Sequence, residues 1–153
     1  MSSYEHTLKD ISDIPKDIKI VFVVAEFNKE YTSSLEAINI WYLNQYGFKN
    51  IESLYVPWAF EIPWFTRKLL EANEFDLIIT IWVVIRWDTP HFDYVCNETS
   101  RGIMDLTLNY DTPIIFGILT CNTEEQVQER LKSNYALAWL NLLSEIYKTF
   151  SIK

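Results

Sequence analysis

The segment Trp82 to Tyr94 brings an apolar run, a hydroxyl, an imidazole and a helix start together within a few residues. Asp88 and Thr89 lie where the free backbone N–H groups of a helix opening at Pro90 would point outward. Such a terminus binds phosphate, and the same two residues serve equally as an ordinary cap. The Asp88 carboxylate would repel an anion, so the backbone and Thr89 would do the binding. His91 falls in the first turn of that helix and is one of 2 histidines, His6 being the other. Imidazole changes charge near neutral pH, which suits a proton shuttle.

Two further strand ends belong with this one. Phe27-Asn28 follows a β-branched run, and Ala59-Phe60-Glu61 precedes a helix. Phe27 either stacks on a heterocycle or closes the core as a loop aromatic. Glu61 either accepts hydrogen bonds from a polyol or caps its helix, where the helix dipole favours its charge. Arg130 would hold a phosphate in its planar fork or form a surface ion pair. No serine or cysteine is spaced to pair with a base, and neither a Gly-rich nucleotide loop nor a metal cluster is present. Chemistry here is therefore proton transfer and positioning without a covalent intermediate on the protein.

The elements that must carry these residues alternate. Strands are expected at Ile18–Ala25, Ile51–Val56, Leu77–Ile85 and Pro113–Leu119. Helices are expected at Thr32–Tyr46 with Gly47 as its stop, at Ile62–Ala72, at Thr89–Leu108 and at Ala136–Phe150. Thr123 and Gln126 form a capping pair that opens a further helix. This alternation predicts an α/β fold, a three-layer αβα flavodoxin-like domain with a four-stranded parallel sheet. In such a sheet all three candidate strand ends share the carboxyl edge. Residues 1 to 17 read as an arm or a short edge strand, and residues 18 to 153 as the domain. Four strands leave edges that the arm or a second subunit would cover.

Size and charge bound the rest. The 153 residues suffice for one domain with a real core. Hydrophobic residues make up 49%, charged residues 22%, and the net charge is -8. A pI near 4.7 lacks the basic footprint of a nucleic-acid binder. No apolar run reaches membrane-spanning length, and the polar N-terminal residues do not read as a signal peptide, so none is expected. Cys96 and Cys121 suggest neither disulfide framework nor metal spacing, so a reducing cytoplasm is expected.

Several motifs resemble one family, 6,7-dimethyl-8-ribityllumazine synthase. They are Phe27-Asn28, Val56 to Pro63 (VPWAFEIP), Val84 to Glu98 (VIRWDTPHFDYVCNE), Phe116 to Thr120, and Thr123 to Arg130. The similarity runs from about Ile18 to Phe150. It implies condensation of 5-amino-6-(D-ribitylamino)uracil with 3,4-dihydroxy-2-butanone 4-phosphate, with release of phosphate and water. By the resemblance Phe27 stacks on the pyrimidine, Asn28 beside it belongs to the substrate site, and Ala59 and Glu61 hold the ribityl chain. Val83, Val84 and Ile85 line the ring pocket, and Trp87, Asp88 and Thr89 form the phosphate loop. His91 moves protons. Phe116 and Arg130 come from a neighbouring subunit of a pentamer or a 60-subunit shell. It implies no cofactor and no metal.

The chain also departs from that pattern. It has only 3 glycines and 6 tryptophans, against average glycine usage of about 7%. Trp58, Trp82, Trp87 and Trp139 fall where the family commonly has glycine. Either a stop codon read as glycine in the source organism is rendered here as tryptophan, or the chain is a remodelled, inactive homologue, a ligand-binding or shell-forming protein with its phosphate loop blocked by Trp87. A tryptophan at 87 is expected to block the pocket or strain the backbone. The family's lysine after a small-residue loop matches Ala138-Trp139 instead, with Lys132 as a possible substitute.

Overall fold

A computed structural model describes residues 7–132 and 135–150 of the chain. His6 with the first residues of the arm, and Ser133-Asn134 in the loop after Lys132, lie outside the described residues. Four strands, β1 (Ile20–Ala25), β2 (Ile51–Val56), β3 (Leu77–Ile85) and β4 (Ile114–Cys121), alternate with helices. The helices are α1 (Lys29–Gln45), α2 (Ile62–Ala72), α3 (His91–Asn109), α4 (Glu124–Leu131) and α5 (Tyr135–Phe150). A single 3-10 turn, Ala59–Glu61, precedes α2.

All strand pairs are parallel, in the order β2-β1-β3-β4. The central strands β1 and β3 are covered on both faces, which is why they read as unbroken apolar runs. Residues 20–25 are buried throughout, and so are 77–84. One core layer packs Phe22, Val24, Ile79 and Ile81 against Leu35, Leu43, Val127 and Leu140 of α1, α4 and α5. The other packs Val21, Val23, Trp82 and Val84 against Ile62, Leu70, Phe92 and Ile103 of α2 and α3. This is the expected three-layer α/β architecture. Chain order reverses between β1 and β3, so a crevice opens beyond their carboxyl ends.

Several boundaries move, each for a local reason. The first strand begins at Ile20 because Lys19 N–H donates to the Asp76 carboxylate at 2.7 Å instead of joining the ladder. Helix α1 starts three residues earlier than expected. Asn28 adopts the left-handed conformation (φ 57, ψ 44), which asparagine tolerates, and its carbonyl accepts from Tyr31 and Thr32. Gly47 (φ 92) does stop that helix. Gly47 N–H bonds Asn44 and Phe48 N–H bonds Leu43, the two closures of a Schellman motif. Helix α3 begins at His91 because Pro90 disfavours helical backbone at Thr89. Strand β4 runs on to Cys121, paired with Ile85. Thr123 caps α4 as expected, accepting from Gln126 N–H at 3.3 Å. The Gln126 side chain reaches back to Asn122 N–H at 2.7 Å.

The arm does not form an edge strand among the described residues. It lies along α5, where Lys9 N–H donates to Asn141 and Ser144 Oγ donates to the Asp10 carbonyl. Ile14 seals it into the core at 1% exposure. The outer edges of β2 and β4 have no strand partner among the described residues.

Candidate active site

A cavity of about 640 Å³ occupies the carboxyl-edge crevice on the α2/α3 side. It is lined by Phe27, Trp58, Ala59, Phe60, Glu61, Trp82, Trp87, His91, Tyr94, Val95 and Glu98. Three separate loops thus deliver Phe27, Ala59, Glu61 and His91 to one space. A second cleft of about 690 Å³ lies at the amino edge of the sheet, between Phe75, Tyr110, Pro113 and α5. Strands in such sheets present their ligands at the carboxyl edge, so the first cavity is the candidate.

Each wall has a local cause. Asn28 Nδ2 donates to the Val83 carbonyl at 2.8 Å and so ties the loop of Phe27 across the crevice to β3. Glu61 Oε2 accepts from the Trp58 N–H at 2.9 Å and holds the 3-10 turn. Glu61 is therefore both cap and cavity wall. His91, Tyr94, Val95 and Glu98 repeat at helical spacing along one face of α3. That pattern is legible in the sequence from His91 onward.

Three tryptophans line the cavity. Trp58 stacks on Phe27 with ring centroids 4.5 Å apart and planes 24° from parallel. Trp87 meets Phe92 edge-on at 5.3 Å and lies 6.0 Å from the His91 ring. Trp82 forms the floor at 2% exposure, its indole N–H buried without a partner. Trp139 lies outside the cavity, buried on α5. The expected backbone strain does not arise. Among the described residues only Asn28 and Asn73 are non-glycines at positive φ. The Trp87 indole lies against α3, while Asp88, Thr89 and the helix start stay exposed.

The remaining expected residues lie elsewhere. Val83 and Val84 are fully buried on opposite faces of the sheet, and Ile85 is half-buried. None of the three lines the cavity, and the Val83 carbonyl is taken by Asn28. No side chain caps α3, so Asp88 and Thr89 do not play the capping role. Phe116 is 47% exposed on edge strand β4, and Arg130 lies in the last turn of α4. Neither lines the cavity. Lys132 is exposed at the end of α4.

Both thiols are held in their neutral form. Burial pushes Cys96 up, Asp93 adds to this, and Arg86 partly offsets it. Burial likewise raises Cys121, against an opposing pull from Arg130. Neither has the lowered pKa of a nucleophilic cysteine.

A family model described as 6,7-dimethyl-8-ribityllumazine synthase matches residues 17–150. The chain belongs to that family. All five motif segments fall inside the match. Membership carries a lumazine synthase-type role in riboflavin biosynthesis, acting on small molecules. Among the described residues no helix is long and apolar enough to cross a membrane.

Proposed function

We propose that the protein is a transferase that condenses 5-amino-6-(D-ribitylamino)uracil with 3,4-dihydroxy-2-butanone 4-phosphate. The products are 6,7-dimethyl-8-ribityllumazine, phosphate and water. The observation that carries this reading is that Phe27, Ala59, Glu61 and His91 share one carboxyl-edge cavity. Phe27 offers a ring face to the pyrimidine. Ala59 and Glu61 bound the ribityl chain, with the second carboxylate oxygen of Glu61 accepting from its hydroxyls. Asn28 fixes the Phe27 loop. Val83, Val84 and Ile85 form the rigid strand end behind the ring.

The phosphate goes to the exposed loop of Asp88 and Thr89 and the uncapped start of α3. His91 opens that same first turn and carries protons during Schiff-base formation and phosphate loss. The protein contributes positioning and proton transfer, in keeping with two thiols that burial keeps protonated. The reaction draws on no metal or organic cofactor. A cytoplasmic setting goes with it.

The site is completed by a neighbour in a homo-oligomer, a pentamer or a 60-subunit shell. Phe116 on the open edge of β4 and Arg130 on α4 would enter the adjoining subunit's cavity, Arg130 gripping the phosphate. Sedimentation at working concentration is expected to give at least a pentamer; a clean monomer would refute shared sites.

One observation favours a second reading, a non-catalytic ligand binder or shell protein. Trp58 covers one face of Phe27, in a cavity that Trp82 and Trp87 also line. Incubation with both substrates separates the two. Lumazine absorbance rising with equimolar phosphate supports the synthase; no absorbance with both substrates bound supports the blocked homologue.

A further inference from the structure

Arg86 is the first residue beyond β3 and has no role in the reaction described above. Its backbone N–H donates to the Cys121 carbonyl at 2.8 Å, extending the β3–β4 pairing by one bond. Its side chain reaches in two directions. Nε donates to Asn122 Oδ1 at 3.0 Å, in the turn between β4 and α4. Nη1 donates to Asp93 Oδ1 at 3.3 Å, in the first turn of α3. The guanidinium lies 4.3 Å from the centre of the Phe92 ring. Asn122 is itself tied to α4 through Gln126 at 2.7 Å.

One side chain therefore links the end of β3, the β4–α4 turn and the start of α3. Residues 87–90 run between these anchor points, and the helix they lead into has no side-chain cap. The ion pair to Asp93 is about half-exposed, and such pairs add little to stability. What arginine adds is a planar fork that holds two acceptors at a fixed angle.

We propose that Arg86 is a positioning residue, fixing loop 87–90 so that Thr89, the α3 start and His91 are set for the phosphorylated substrate. The proposal rests on the synthase reading. It predicts a split between substrates. Phe27, Ala59 and Glu61 stand on loops that Arg86 does not touch, so pyrimidine binding is independent of it.

The test compares wild type with Arg86→Met, which keeps the stem and loses the fork, and with Arg86→Lys. Without substrate, amide hydrogen exchange over residues 87–93 is expected to quicken in Arg86→Met. KM for the butanone phosphate is expected to rise by about 10- to 100-fold, the scale of a small misplacement, while KM for the pyrimidine stays unchanged. Lysine keeps the cation over Phe92 but lacks the fork, so it restores KM only in part. If Arg86→Met does not fold, Asn122→Ala removes one arm of the clamp and is expected to move the same two readouts less. Unchanged exchange, an equal rise in both KM values, or full rescue by lysine would overturn the proposal. A wild type that forms no lumazine overturns the synthase reading instead. In that case exchange, with titration of inorganic phosphate in place of KM, still decides on the clamp.

Discussion

Replacing Trp58 by alanine bares the ring of Phe27. In the free protein the two rings stand 4.5 Å apart and nearly parallel. A third ring between them would need about 7–8 Å, twice the optimal contact distance. On the proposed reading the pyrimidine takes the Phe27 face that the indole covers, so it binds there after the indole swings away. Stacked aromatic pairs are worth about 0.5–1.5 kcal/mol beyond their buried area. At 1.36 kcal/mol per tenfold, losing that stack costs wild type about 2- to 13-fold in affinity. The Trp58→Ala protein is thus expected to bind the ribitylaminouracil about 2- to 13-fold more tightly, and the butanone phosphate with unchanged affinity. Calorimetric titration of each substrate alone reads this out. Weaker pyrimidine binding would show that the indole is part of the ring site, and unchanged binding that the ring does not use Phe27. Either result would refute the plug.

His91→Ala is expected to slow turnover by about 10²-fold, the usual contribution of a positioned proton shuttle, with the melting temperature unchanged because the side chain is exposed. A rate unchanged across neutral pH would remove His91 from the mechanism. Arg130→Ala is expected to weaken the butanone phosphate far more than the pyrimidine, with lysine rescuing only in part; equal weakening of both would count against it. Alkylation of Cys96 and Cys121 is expected to stay slow at neutral pH and to accelerate only above the ordinary thiol pKa. Burial raises both groups and the thiolate is the reactive form. Rapid labelling of the native protein at neutral pH would contradict this.

The core of the fold was legible because its strands are buried on both faces. Residues 77–85 have little choice but to be a central strand. Boundaries were less legible where one side chain decided them: Asp76 capturing Lys19, and Asn28 turning left-handed. Phe27, Ala59, Glu61 and His91 could be gathered from sequence because chain order alone sends their loops to one edge. Tyr94, Val95 and Glu98 carry a weaker signal, helical spacing from His91 alone. The stack of Trp58 on Phe27 was beyond reach, since it depends on how two loops meet in space. So was Arg86, whose partners lie 7 and 36 positions away.

The most direct test is a crystal structure of the protein with the ribitylaminouracil bound. The account predicts the pyrimidine lying on Phe27 with the Trp58 indole displaced, and the ribityl chain along Ala59 and Glu61. A ligand in the amino-edge cleft beside Tyr110, or a Phe27–Trp58 stack left intact with ligand bound, would contradict it.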